Sequence, residues 1–273
     1  MPFASRGGFL TQPAAAAGNT RRTGTASTNS SETWTAVSGG AETDTSIKKY
    51  GTASMNLALQ SDEIASSGAD FLAFGTGDFC VEWWMYIDSL TGHGASCDLL
   101  ALNQTGGMNL RIARKKNTDG LSSANPKYFH VAQRGIKDME AWDMTTGSSD
   151  TGNWTTGTWY YCVLQRKSAD TAFWRNGVLK SISHANSGGV DTVDFASNSG
   201  SSTVYIGSQT GASNGVGPVH IDEMCFSNSW RYPDNTSDLD SLPSGAFTVD
   251  QYTTQLLHMD GSNGGTSFAN ATS

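Results

Sequence analysis

Few side chains in this sequence have the type and spacing for chemistry, and the densest group is His220-Ile221-Asp222-Glu223-Met224. In an extended strand alternate residues share a face, which puts His220, Asp222 and Met224 on one side and Glu223 on the other. Carboxylate-pair hydrolysis needs two acids converging on one cleft, and on this reading the segment offers one. Glu82, in the middle of an aromatic run, reads as a half-buried carboxylate hydrogen-bonded to a neighbouring strand or loop. His93, His130, His184, His220 and His258 are scattered, and no G-x-S-x-G elbow accompanies them, so a nucleophile triad has no local support. The expectation is a protein without catalytic residues.

Binding chemistry has more candidates. Asp234, Asp238 and Asp240 in the PDNTSDLD stretch, and Asp191 and Asp194 in GVDTVD, could offer oxygen ligands to calcium at a sheet rim, although neither stretch has the EF-hand order. Asp and Asn are also the ordinary residues of turns. Among the eight tryptophans, Trp142 and Trp154 stand in loop-like sequence and could stack on sugar rings, whereas Trp83, Trp159 and Trp174 have core-like settings. Cys80, Cys97, Cys162 and Cys225 form no C-x-x-C pair and have no histidine at ligand spacing; they read as buried free thiols.

Charge and hydropathy narrow the class further. A formal net charge of -8 with 15% charged residues argues against a nucleic-acid footprint, and the local cluster Arg111, Arg114, Lys115 and Lys116 is spaced like a hairpin tip. No apolar run is long enough to cross a bilayer, and the first eighteen residues lack the hydrophobic core of a secretory signal.

Strands must position these groups. FGTGDFCVEWWMYI, residues 74–87, is apolar on both faces, with Phe79, Val81, Trp83, Met85 and Ile87 on one and Cys80, Glu82, Trp84 and Tyr86 on the other. Such a strand is covered on both sides. Further strand-like runs recur from residue 47 onward between short turns, and Asn176-Gly177 between TAFWR and VLKSIS predicts a type I′ hairpin. The pattern predicts an all-β, two-sheet antiparallel sandwich of jelly-roll type over residues 34–273. Residues 11–33 contain no large aliphatic side chain and no aromatic, which predicts an extended N-terminal arm over 1–33 that buries almost nothing within its own chain. Phe3, Phe9 and Leu10 would anchor that arm on neighbouring subunits, Arg6, Arg21 and Arg22 would meet acidic partners, and its removal is expected to leave a folded domain.

KKYGTASMNLAL, FGTGDFCVEWWMY, TTGTWYYCVLQR, FWRNGVL, VYIGS, VHIDEMCFSNSWRY and TTQLLHMDG follow one another in an order that resembles LamG-like jelly rolls of the concanavalin A-like lectin/glucanase superfamily, over about residues 46–270. The closing part, WRYP and then QLLHMDG, is most similar to versions in virion proteins of tailed bacteriophages. The resemblance implies a structural or decoration component of a capsid or tail, assembled in the host cytoplasm into the virion, in contact with other virion proteins and copies of itself, for instance as a trimer. Glycan recognition by loop aromatics, with or without calcium, is the alternative it implies. Glycoside hydrolases related to that fold carry a Glu-x-Asp-x-Glu strand. Here His220 and Met224 stand in place of the two glutamates, and only Asp222 matches.

Overall fold

The computed structural model describes residues 18–27, 33–67, 74–89, 96–104, 107–115, 128–133, 137–142, 154–184, 203–208 and 215–271. Among them, seventeen strands follow in order: β1 (Thr33–Ser38), β2 (Glu42–Asp44), β3 (Ser54–Leu57), β4 (Glu63–Ser67), β5 (Phe79–Ile87), β6 (Ser96–Gln104), β7 (Gly107–Lys115), β8 (Tyr128–Gln133), β9 (Lys137–Trp142), β10 (Trp159–Lys167), β11 (Asp170–Arg175), β12 (Val178–Leu179), β13 (Ser181–His184), β14 (Thr203–Ile206), β15 (Val219–Ser227), β16 (Thr253–Leu257) and β17 (Ser267–Ala269). They form two antiparallel sheets, one ordered β13-β9-β8-β7-β6-β14-β4-β1-β17, the other β12-β11-β10-β5-β15-β3-β2 with β16 on β15. The chain is an all-β sandwich of jelly-roll type. At the expected hairpin, Asn176 and Gly177 both take positive φ (50° and 80°), and Arg175 pairs with Val178.

The two faces of β5 bury different things. Phe79, Val81, Trp83, Met85 and Ile87 enter the core between the sheets, against Trp34 and Phe268 from the far layer. Cys80 and Trp84 enter a second core on the outer face, with Tyr161 of β10, Trp174 of β11 and Cys225 of β15. Tyr232, Leu239, Phe247 and Val249 cover that face, all from the non-strand stretch between β15 and β16. Behind the eight-stranded sheet there is therefore a third, irregular layer, and a buried Phe or Leu in it contributes on the order of 1.5–3 kcal/mol.

Strand β15 does not keep strict alternation. Asp222 pairs with Trp84 and Cys225 with Glu82, so two residues face one between those points, and Glu223 sits at φ +52°. This bulge corrects the expected face of Glu223. Met224 turns into the core between the sheets, while Glu223 joins Asp222 on the outer face, where its Oε2 accepts from the Phe247 amide at 2.7 Å.

Residues 18–27 also depart from expectation. Asn19 is buried, and Ala26 forms an isolated antiparallel bridge with Asp250. The packed body of the molecule reaches back to Gly18, because this stretch supplies polar and cationic groups that the third layer needs. The anchors Phe3, Arg6, Phe9 and Leu10 lie outside the described residues.

Candidate functional site

The centre of the outer face is Glu82. It is fully buried, and no neighbouring strand carries a cation opposite it; Val163 and Cys225 are its cross-strand neighbours. The charge is met from the N-terminal segment. Arg21 Nε and Nη2 donate to the two carboxylate oxygens at 2.9 and 2.8 Å, Tyr161 donates at 2.5 Å, and the Tyr232 hydroxyl lies 3.1 Å from Oε1. Burial alone would raise the Glu82 pKa. The charge and hydrogen bond of Arg21 outweigh it and hold the carboxyl below its ordinary value, while burial and Glu82 push Tyr161 well up.

Three further contacts fix the same segment. Asn19 donates to the carbonyls of Asp234 (2.8 Å), Ser237 and Asp238 (both 3.2 Å) and accepts from the Asp234 amide at 3.1 Å. The Arg22 guanidinium sits 3.6 Å from the Trp230 ring centroid and 4.0 Å from that of Tyr252, a cation–π slot closed by a bond to the Trp230 carbonyl. Asp250 accepts the Gly24 amide at 2.8 Å and holds Arg231 through two bonds, so one carboxylate ties the segment, the stretch after β15 and the turn before β16 together, and Arg231 Nε in turn donates to Ser227 at the end of β15. Burial would raise Asp250; the Arg231 bond overrides it and lowers it well below the carboxylate range.

A second group lies along β15. Asp222 Oδ2 accepts the amides of Lys49 (2.7 Å) and Tyr50 (3.1 Å), and burial raises its pKa to about 7 despite those bonds. Glu223 Oε1 lies 2.7 Å from His258 Nδ1, and this bond raises the histidine. His220 brings Ser54 and Asp88 into a line, with Nδ1 3.1 Å from Ser54 Oγ and Nε2 3.1 Å from Asp88 Oδ2. The polarity is wrong for a nucleophile. Ser54 spends its one proton on the Ile47 carbonyl at 2.5 Å, so toward His220 its oxygen can only accept, and Ser54 is fully buried.

The residues expected to bind ligands are dispersed. Trp154 is 1% exposed and packs edge-on against Tyr160 with Arg175 over its ring, which makes it core and corrects its reading as a stacking platform. Trp142 is the last residue of β9, paired with Tyr128 and Ser181, and so is not in a loop. Trp159 is only partly buried, against Tyr86. Asp234 accepts from Thr236, Asp238 from the Leu179 amide and Asp240 from Thr20, three separate structural tasks; among the described residues no group of three or more acids, histidines or cysteines is placed to hold a metal. Asp191 and Asp194 lie outside the described residues. Arg21 meets within its own chain an acid of the kind expected of a partner, whereas Arg22, also expected to meet an acid, meets two aromatic rings. Cys80, Cys162 and Cys225 are buried thiols.

No protein-family model matches the chain, and no curated protein sequence matches it. Solved structures resemble it in fold. A proposed carbohydrate-binding protein from Bacteroides ovatus shares 12% identity over 91% of this chain and 88% of its own, with a TM-score of 0.44. The receptor-binding domain of a botulinum neurotoxin mosaic serotype C/D shares 13% over 75% of this chain and 44% of that one, TM-score 0.46. A Trypanosoma rangeli sialidase in complex with the inhibitor DANA shares 15% over 75% of this chain, TM-score 0.41, and the chain spans only 31% of that enzyme's length. At such identities the likeness concerns architecture alone.

Proposed function

We propose that this chain is a non-enzymatic module displayed on a larger particle, a structural or decoration component of the kind that tailed-phage virions carry as LamG-like jelly rolls. The order of the seven sequence motifs over about residues 46–270 supports the jelly-roll class, and the resemblance of the closing part, WRYP and then QLLHMDG, to virion versions supports the particle assignment. The observation that carries the non-enzymatic half is where the buried acids of the central strands β5 and β15 are spent: Glu82 on Arg21 and Tyr161, Asp222 on two loop amides, Glu223 on His258 and Phe247. Each is bonded to a group that holds the fold, and the third layer covers the face on which they stand. Antibody to the full chain should decorate intact particles in electron micrographs. Label confined to free protein would refute the particle assignment, and release of reducing sugar from any polysaccharide would refute the non-enzymatic one.

A second reading, glycan recognition, is favoured by a cavity of about 260 Å³ lined by Lys167, Ser168, Asp170, Pro233, Asp234, Asn235 and Thr236. Its size is near the lower end of ordinary ligand sites, and its lining of hydroxyl, amide and carboxylate groups suits a polyhydroxylated ring. Retention of the full chain on a glycan array, lost in Thr236→Trp, would support this reading; an unchanged binding profile in that variant would exclude the cavity.

A further inference from the structure

The segment Gly18–Ser27 is held as a ligand is held. Its contacts are to residues remote in sequence, chiefly Glu82 of β5 and the stretch from Ser229 to Tyr252, and side chains rather than a continuous strand ladder provide most of them. Three pockets read three side chains. A ring of carbonyls at Asp234, Ser237 and Asp238, with the Asp234 amide, takes both ends of the Asn19 amide. A buried carboxylate, Glu82, takes the Arg21 guanidinium, and the slot between Trp230 and Tyr252 takes Arg22. Backbone contacts set the register between the pockets, from Arg22 N to the Arg231 carbonyl at 2.6 Å and from Gln251 N to the Thr25 carbonyl at 2.9 Å. A Cβ at Gly24 would press on the Gln251 side chain and the Tyr252 ring, both at 2.9 Å, which adds a size restriction at that position, whereas at Gly18 it would meet the movable end of the exposed Asp240 side chain.

We propose that the outer face of the eight-stranded sheet is a peptide-reading groove for the pattern Asn-x-Arg-Arg-x-Gly, and that a second copy of this chain supplies that peptide when copies are crowded together, as on a particle. The groove cannot distinguish its own segment from that of a neighbour, since every contact would be the same in either arrangement. Occupancy in cis or in trans is then set by the tether and by local concentration. Five polar residues, 28–32, separate the segment from β1, and β1 belongs to the other sheet, so the tether is short. An empty groove would leave the Glu82 charge buried without its cation, so exchange rather than vacancy is the favoured outcome. The proposal concerns the groove and its ligand, and holds whether the particle is a virion or another assembly.

The test keeps the full chain. A protease site placed within residues 28–32 is cut after folding, and a fluorescent peptide of residues 16–28 is titrated into the cut protein. The expected result is saturable exchange, at least 100-fold weaker for the Arg21→Ala peptide and about 10-fold weaker for Arg22→Ala. Separately, full-length Arg21→Ala, which keeps the groove, is mixed with full-length Glu82→Gln, which keeps the segment; native mass spectrometry should find a 1:1 complex that neither variant forms alone. Should Arg21→Ala fail to fold, deletion of residues 29–31, which removes no described contact, should convert the chain to a dimer or closed ring. Absence of exchange, equal affinity of wild-type and Arg21→Ala peptides, or a monomeric tether-shortened chain with native stability would each overturn the proposal.

Discussion

Replacing Arg21 with alanine should be among the most damaging single changes in a region that composition marks as dispensable. Glu82 is fully buried and the Arg21 side chain 14% exposed, so the pair is well shielded from solvent. Removing one member of a buried ion pair leaves an uncompensated charge and costs about 3–5 kcal/mol. Tyr161 and Tyr232 still donate to the carboxylate, which places the expected loss near the lower end, about 3 kcal/mol. For a chain of this size that is a drop of about 6–12 °C in Tm. The pH dependence carries the sharper test. In the wild type the folded-state pKa of Glu82 is depressed, so its stabilising contribution is present above the unfolded value and lost as pH falls through the folded one. Without Arg21, burial dominates and the folded pKa rises; the deficit should then be greatest at about pH 8 and shrink toward pH 5 as the carboxyl takes up a proton. Urea unfolding followed by tryptophan fluorescence at both pH values measures it. Adding Glu82→Gln to Arg21→Ala should recover most of the loss, and deletion through Ser27 should cost at least as much as Arg21→Ala. An Arg21→Ala protein within about 0.5 kcal/mol of wild type at pH 8, or one that Glu82→Gln fails to rescue, would refute the reasoning.

Asp222→Asn keeps an oxygen acceptor for the Lys49 and Tyr50 amides while removing a carboxyl whose folded pKa is raised to about 7. Wild-type stability should therefore fall as pH rises from about 4 to about 7, by up to about 4 kcal/mol, and the variant, with a shallower slope over that window in chemical denaturation, should be the more stable protein near neutrality. His258, raised by Glu223, adds a contribution of the same sign that is present at low pH and lost above its ordinary value, so His258→Gln should flatten the slope that Asp222→Asn leaves. Trp154→Ala should cost about 3–5 kcal/mol in the same assay, comparable with Trp83→Ala, whereas Trp159→Ala should cost less because that ring is only partly covered. Asp250→Asn should unfasten the stretch after β15, the turn before β16 and Gly24 together, and the loss should be smaller in a chain that already carries Arg231→Met than in the wild type.

The sandwich was legible because its signals are local. Two-faced apolarity in β5, the Asn176-Gly177 turn and the spacing of short strands all depend on neighbours within a few residues. What escaped the sequence depends on distance. Residues 18–27 have the composition of a solvated arm, and contacts with residues 61 or more positions away, Arg21 with Glu82 first among them, make the segment part of the body. A signal did exist: Glu82 stands in an aromatic strand with no basic residue near it, and a buried carboxylate needs a cation from somewhere. Glu223 was placed on the wrong face because a single extra residue in β15 inverts the alternation after it, and nothing in HIDEMC marks the insertion. Trp154 looked loop-like from its Gly- and Thr-rich surroundings, yet an indole there fills space beside Tyr160 that the strands leave open.

The three buried thiols divide the interior in a way that makes the molecule its own reporter. Cys162 lies in the core between the sheets, whereas Cys80 and Cys225 lie under the third layer, with Cys225 Sγ 4.0 Å from the Arg21 guanidinium. Burial pushes Cys225 up to about 11 and Cys80 well above the ordinary thiol value, so both are slow nucleophiles while covered. A pulse of alkylating reagent thus reads two different openings by mass: modification at Cys225 ahead of Cys162 records the N-terminal segment lifting from an otherwise intact sandwich, and simultaneous modification records separation of the sheets.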